Sequence, residues 1–211
     1  MRILVTAGPT REYIDPVRFI TNGSSGRMGY AVAAAAARRG HRVTLLSGPV
    51  ALKPPAQGAG CRVVPFVSVE DLAAAMRRHF PKADAVVMAA AVGDFRLGRV
   101  FRRKLRRASG PITLRLVPTA DVLAGVAAKK RKGQVVFAFA VEQGPRRRIV
   151  AKAIAEMARK HADFVLLNTP AAMGAEESEA CILSRAGVVL PWGRRPKAAL
   201  ARAIVRILEN A

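Results

Sequence analysis

Apolar residues recur along the chain in two alternating rhythms. Short continuous runs at 3–7 (ILVTA), 42–47 (RVTLLS), 62–66 (RVVPF) and 84–91 (DAVVMAAA) lack the polar alternation of a half-exposed sheet, and read as strands covered on both faces. Between them, GYAVAAAAARR (29–39) carries helical spacing. A second helix follows Ser68-Val-Glu-Asp71, which has the pattern of a capping box, and runs to about Phe80. The second half continues in kind, with strands at 112–117, 135–140 and 164–168 and helices at 119–130 and 147–161. ACILS (180–184) and VVLPW (188–192) flank Arg185-Ala-Gly187 as a hairpin, and a last helix runs from about Arg195 to Leu208. Strands alternating with helices imply right-handed crossovers and a mostly parallel sheet. The expected fold is therefore α/β: a doubly wound, Rossmann-like sheet with helices on both faces, in a single domain over 1–211. Segment 98–111 (GRVFRRKLRRASGP) breaks the rhythm and is expected to form a basic flap or arm.

Composition narrows the class. With 51% hydrophobic and 24% charged residues the chain is neither disordered nor collagen-like, and at 211 residues it can bury a core without staples. No apolar stretch is long enough to span a bilayer. Cys61 and Cys181 lie far apart without a CxxC partner, which excludes a disulfide scaffold and a zinc ribbon. We expect a soluble, cytoplasmic, reduced protein. Charge is the unusual quantity: 36 Lys and Arg against 14 Asp and Glu give +22, enough to attract a polyanion. A basic nucleic-acid-binding protein on a nucleotide-type fold is therefore one reading. Against it, Phe66, Phe137, Phe139 and Phe164 sit in apolar runs rather than beside basic residues, so no stacking platform is visible. Arg pairs at helix ends, such as Arg38–Arg39 and Arg77–Arg78, fit a solvated Arg-rich surface.

Ligands of open α/β sheets bind at the carboxyl ends of the strands. That directs attention to the loops after Ala7, Ala91, Val117, Ala140 and Asn168. The first is distinctive: seventeen residues separate Gly8 from Gly26, where a dinucleotide fold would place a tight GxGxxG turn. It ends Asn22-Gly23-Ser24-Ser25-Gly26-Arg27-Met28-Gly29. Ser24 or Ser25 can cap the following helix, while Gly26 and Gly29 leave backbone amides bare for an anion. The same pattern also suits a glycine-rich cap that binds nothing. Tyr13 and Tyr30 are followed four residues on by Val17 and Ala34, so the Tyr-x-x-x-Lys of short-chain reductases is missing. His41, His79 and His161 lack ligand spacing, apart from Asp163 beside His161, which argues against a metal cage. Anion chemistry remains. Asp94 lies just past a strand end, and Phe101-Arg-Arg-Lys104-Leu-Arg-Arg107 carries five cations in seven residues, a pattern of a phosphate-binding arm or of a solvated one.

The segments LVTAGPTREYIDPVRFITNGSSGRMGYAVA (4–33), MAAAVGDFR (88–96), Lys104-Leu-Arg-Arg, PTADVL (118–123), FAFAVE (137–142) and HADFVLLN (161–168) resemble, in the same order, the phosphopantothenate–cysteine ligase family, from Met1 to about Leu208. The resemblance implies a ligase of coenzyme A biosynthesis. It would join 4′-phosphopantothenate to L-cysteine through an acyl-cytidylate made from CTP, with Mg²⁺, in a homodimer where part of one subunit completes the other's site. Many bacterial members are fused to a flavin-dependent decarboxylase; because the ligase segment begins at residue 1, a stand-alone enzyme without FMN is expected. Carried over by position, Asn22 holds the intermediate with Arg18 as its accompanying cation, and Lys104 heads the flap. Gly8, Ser24, Ser25, Gly26 and Met28 cradle phosphate. Met88, Ala89, Ala90, Asp94, Lys104, Ala120, Asp121, Val122, Leu123, Phe139 and Lys160 contact the nucleotide. Several positions depart from the family: the flap reads Lys-Leu-Arg-Arg for Lys-x-Lys-Lys, Pro118 replaces a lysine, Val141 an alanine, and Glu156 the first of two nucleotide-contacting lysines. The last leaves CTP and ATP both open, since eukaryotic members use ATP. Glu156 is expected to pair with one or both of Lys152 and Lys160, four residues to either side on one helix face.

Overall fold

Ile3, Leu4 and Val5 are all buried, because successive side chains of the first strand enter two different apolar layers. The computed structural model, which describes residues 1–53, 55, 60–107 and 111–211, shows the same arrangement across a central sheet. In chain order the first half runs β1 (Arg2–Ala7), β2 (Arg11–Tyr13), β3 (Phe19–Thr21), α1 (Arg27–Arg38), β4 (Arg42–Ser47), β5 (Cys61–Pro65), α2 (Val69–His79) and β6 (Ala85–Met88). The second runs β7 (Phe95–Leu97), β8 (Leu116–Pro118), α3 (Val122–Ala127), β9 (Val135–Val141), α4 (Arg146–Arg159), β10 (Phe164–Asn168), β11 (Glu177–Ser184), β12 (Gly187–Pro196) and α5 (Lys197–Glu209).

The sheet has the order β12-β11-β10-β9-β6-β1-β4-β5. It is parallel from β5 to β10 and antiparallel over β11 and β12. Helices α1 and α5 bury one face, with Val32, Ala36, Leu200 and Ile204 against Ile3, Val5 and Phe137. Helices α2, α3 and α4 bury the other, with Leu72, Val126 and Met157 against Leu4, Val86 and Val136. The expected doubly wound α/β sheet is present, and strand order reverses between β1 and β6, which opens a crevice at their carboxyl ends.

Several boundaries differ from those read in the sequence. The long loop after β1 folds back as an antiparallel hairpin of β2 and β3. Segment 112–117 does not join the main sheet: its alternating, half-exposed pattern suits a ribbon, and β8 pairs antiparallel with β7. That ribbon is the stem of the basic segment, whose positions 108–110 lie outside the described residues. Strand 84–91 stops at Met88, beyond which backbone groups turn to the first strand's loop. The helix expected over 119–130 is confined to α3, because the Asp121 side chain caps it by accepting from the Ala124 N–H at 3.0 Å. Both hairpin strands, β11 and β12, extend beyond the apolar residues that announced them. The capping box at Ser68 and Asp71 is formed. Helix α1 starts at Arg27, and neither serine caps it: Gly26 does so with φ 76°, while Ser24 Oγ accepts from the Gly26 N–H at 3.3 Å.

Candidate functional site

Two buried threonines build the crevice. Thr6 Oγ1 accepts from the Ala90 N–H at 3.0 Å and donates to Met88 Sδ at 3.4 Å. Thr10 Oγ1 accepts from the Gly93 N–H at 2.9 Å, and the Ala91 N–H bonds the Gly8 carbonyl at 2.9 Å. Residues 89–93 are thereby folded across the carboxyl end of β1. Asn22 joins from the segment between β3 and α1, its amide donating to the Val92 carbonyl at 3.0 Å. On the far side Thr119 donates to the Gly93 carbonyl at 2.6 Å and leads into the Asp121 cap of α3. Helix α4 supplies the last wall. The result is a cleft of about 630 Å³.

Of the expected nucleotide residues, Met88, Ala90, Asp94, Ala120, Asp121, Val122, Leu123, Phe139 and Lys160 line this cleft, together with Asn22. Ala89 packs instead toward the α1 and α5 layer. Gly8 and Gly26 lie back to back behind it, both with positive φ and both within 2.9 Å of Val50 Cγ1 had they a Cβ. Ser24 and Ser25 are half-buried beside them. The Met28 side chain packs into the α1 layer, so only its backbone N–H faces the role assigned to it. Gly29 lets α1 approach β1 closely: a Cβ there would stand 2.5 Å from Ala7 Cβ and 2.7 Å from the Thr6 carbonyl oxygen.

Four carboxylates and three cations line the cleft of this strongly basic chain. Arg159 binds Glu156 at 2.6 Å and Asp121 at 3.0 Å, and Lys160 lies 3.5 Å from Asp121 and 3.9 Å from Glu156. Lys152 turns to Glu142 at 2.8 Å. The expectation for Glu156 is met for Lys160 but not for Lys152, which is drawn away by Glu142 at the end of β9; its shortest contact is to Arg159, three residues on. Burial alone would raise the Asp121 carboxyl, but the Ala124 N–H, Lys160 and Arg159 outweigh it and hold it below the usual range. The hydrogen bond from Arg159 does the same for Glu156. Arg159 had no signal in the sequence beyond helical spacing, and Glu142, just past β9, had none beyond its place in the FAFAVE segment of the resemblance. Burial pushes the thiol of Cys61 up and that of Cys181 to about 11, so both stay protonated at neutral pH.

Arg18 and Lys104 stand elsewhere. They share an open concavity with Arg103, Arg106 and Arg107, outside the cleft of their own chain. Asp15, wholly buried, holds them there through Leu105. Asp-Pro is a local turn signal, and nothing in the sequence reports this long-range role. The arrangement as a whole offers an apolar slot for a planar base, backbone amides at a helix start for an anion, and a separate cluster of cations.

A family model described as DNA/pantothenate metabolism flavoprotein C-terminal domain matches residues 1–211. The chain is 46% identical over 175 residues to the Coenzyme A biosynthesis bifunctional protein CoaBC of Mycobacterium bovis, covering 79% of this chain and 41% of that protein. It is 36% identical over 209 residues to a cysteine/cysteine sulfinic acid decarboxylase from an unknown prokaryotic organism, covering 97% of this chain and 57% of that protein. The chain therefore spans about two fifths to less than two thirds of the length of these curated relatives. A crystal structure of the C-terminal domain of the Coenzyme A biosynthesis bifunctional protein CoaBC matches with a TM-score of 0.78 at 33% identity, covering 100% of this chain and 96% of that one.

Proposed function

The chain belongs to the family of the DNA/pantothenate metabolism flavoprotein C-terminal domain, and from that premise we propose that it joins 4′-phosphopantothenate to L-cysteine with CTP as the activating nucleotide, a step of coenzyme A biosynthesis. The observation that carries this reading is the cleft itself, where Asn22, Met88, Ala90, Asp94, Asp121, Leu123, Phe139 and Lys160 converge from five separate chain segments at the sheet's switch point.

A carboxylate is a poor electrophile, so activation must precede amide formation. The substrate carboxylate attacks the α-phosphorus of CTP and expels pyrophosphate; the cysteine amine then attacks the acyl carbon and CMP leaves. Both steps build charge on phosphoryl or acyl oxygens, which calls for preorganised donors rather than an acid–base pair. Met88, Leu123 and Phe139 give the base an apolar slot. The amides of Arg27, Met28 and Gly29, left without a side-chain cap, offer donors to a phosphate. Asn22, steadied on the Val92 carbonyl, holds the intermediate. Arg18 and Lys104 meet the developing negative charge. Among the described residues no three His, Cys, Asp or Glu side chains stand close enough together to hold a metal ion, and the Mg²⁺ of this reading would be held chiefly by the triphosphate. When bound, it lowers the charge of the phosphates.

A cleft with more carboxylates than cations does not by itself suit a triphosphate. The balance is restored if Arg18 and Lys104 of one subunit serve the cleft of another, and a homodimer is the arrangement we propose. Tyr13, Val17, Phe95, Val100 and Leu116, on or beside the two small hairpins, are exposed apolar residues that such an association would cover. No helix among the described residues is long and apolar enough to cross a membrane. The test is the first half-reaction. With 4′-phosphopantothenate, Mg²⁺ and CTP but no cysteine, pyrophosphate should appear and hydroxylamine should trap a hydroxamate; nucleotide consumption without a trapped acyl group contradicts the reading.

A further inference from the structure

Asp15 has more partners than its own turn requires. One carboxylate oxygen, Oδ1, accepts from the Val17 and Arg18 N–H groups, both at 2.8 Å, which completes the turn at Asp-Pro. The other, Oδ2, faces away from the turn. It accepts from the Leu105 N–H at 3.0 Å, ninety residues along the chain, and lies 3.3 Å from the Arg18 guanidinium. Arg18 in turn donates to the Leu105 carbonyl at 2.7 Å. A second tie joins the same two segments, from the Phe101 N–H to the Ile14 carbonyl at 2.9 Å. The Asp15 side chain has 0% exposure although the flap around it is mostly exposed. A buried carboxylate stripped of donors is costly, so any departure of the flap penalises Asp15, and Asp15 holds the flap down. Burial would raise the Asp15 carboxyl, but the N–H groups of Leu105, Val17 and Arg18 and the Arg18 charge outweigh it, and it stays ionised at neutral pH.

We propose that Asp15 is a positioning residue that docks the basic flap and sets Lys104 against Arg18, so that the two cations meet the anionic substrate as one unit. This rests on the ligase reading above for its substrate, though not for the docking itself. Arg18 and Leu105 exchange contacts through one buried carboxylate, and Lys104 is the neighbour of Leu105. Losing Asp15 therefore separates two cations that neither moves nor replaces.

The test uses Asp15→Asn, which keeps an oxygen for the turn but places an amide where Oδ2 accepted. Trypsin should then cut at Arg102, Arg103, Lys104, Arg106 or Arg107 several-fold faster than in the wild type, with the unfolding midpoint little changed. Amide synthesis should lose kcat on the order of 10²-fold, the loss typical of one displaced preorganised donor. Placed in a Lys104→Ala background, Asp15→Asn should cost no more than about twofold further, because both changes remove the same contribution. Should Asp15→Asn fail to fold, Leu105→Pro deletes the N–H that Oδ2 accepts without touching the buried carboxylate, and should give the same faster cleavage at Arg102, Arg103, Arg106 or Arg107 (the Lys104 bond becomes resistant ahead of proline) and the same non-additivity. Unchanged flap cleavage, or losses that multiply independently of Lys104, overturns the proposal. A wild type that makes no amide overturns the ligase reading instead, and the cleavage rates alone then settle whether Asp15 docks the flap.

Discussion

Glu156 lines the cleft proposed to take the nucleotide, where repulsion of a triphosphate is the expected cost, so replacing it by Gln gives a direct reading of the cleft's electrostatics. The substitution removes the carboxylate that Arg159 grips at 2.6 Å and Lys160 approaches at 3.9 Å. The Glu156 and Arg159 side chains are 39% and 55% exposed, so solvent screens the pair and it is worth about 0.2–1 kcal/mol. A triphosphate that recruits Arg159 and Lys160 must loosen them from Glu156. Relieving that competition should tighten binding by the same amount, a fall in nucleotide KM of about 1.4- to 5-fold, since 1.4 kcal/mol is tenfold. Asp121 still holds Arg159 at 3.0 Å and Lys160 at 3.5 Å, which keeps the gain toward the smaller figure. Folding stability should move by less than about 0.5 kcal/mol. The assay is initial-rate KM for CTP at low and at high salt, where screening should shrink the difference. A KM that is unchanged or raised at low salt refutes the reasoning.

Gly29→Ala should lower stability by about 1–3 kcal/mol in urea unfolding, because the new Cβ meets β1 backbone at 2.7 Å and cannot be accommodated by a rotamer; an unchanged midpoint would show that α1 does not need this approach. Asn22→Ala removes one hydrogen bond from an exposed residue, worth about 0.5–1.5 kcal/mol of stability, yet should cut amide synthesis on the order of 10²-fold, and full synthesis would leave Asn22 a loop anchor only. The Asp121 carboxyl titrates below its ordinary 3.8 in the folded protein, so its pairing stabilises above that pH and is lost as pH falls through the folded value; Asp121→Asn should therefore lose stability at neutral pH but little at acid pH, and an equal loss at both would contradict the pairing.

The doubly wound core was legible because its strands are buried on both faces, and a run such as 135–140 can hardly be anything else. What escaped the sequence were features fixed by long-range polar partners. The β2–β3 hairpin lies in a polar stretch whose buried members, Thr10, Glu12 and Asp15, are held by residues far along the chain, as Glu12 is by the Val69 N–H at 2.8 Å. Apolar periodicity carries no information about such bonds. The cap of α1 was misassigned because a serine's propensity is local, whereas Gly26 is required there by a left-handed backbone conformation with φ 76°. The cleft residues were named through motif resemblance, and nine of the expected nucleotide contacts do share one cavity. Spacing on α4 found the Glu156–Lys160 pair, but it cannot show that Glu142 claims Lys152 from outside the helix.

The central chemical claim is that the carboxylate of 4′-phosphopantothenate becomes joined to a nucleotide's α-phosphorus before cysteine enters. It is tested most directly by labelling that carboxylate with ¹⁸O and running the complete reaction with cysteine, Mg²⁺ and CTP or, separately, ATP. Aminolysis of an acyl-cytidylate leaves the bridging oxygen with the nucleotide, so CMP should carry one ¹⁸O per amide formed. Label in inorganic phosphate, with release of a nucleoside diphosphate, would mean an acyl phosphate and contradict the assignment; label in AMP alone would replace CTP by ATP and keep the chemistry.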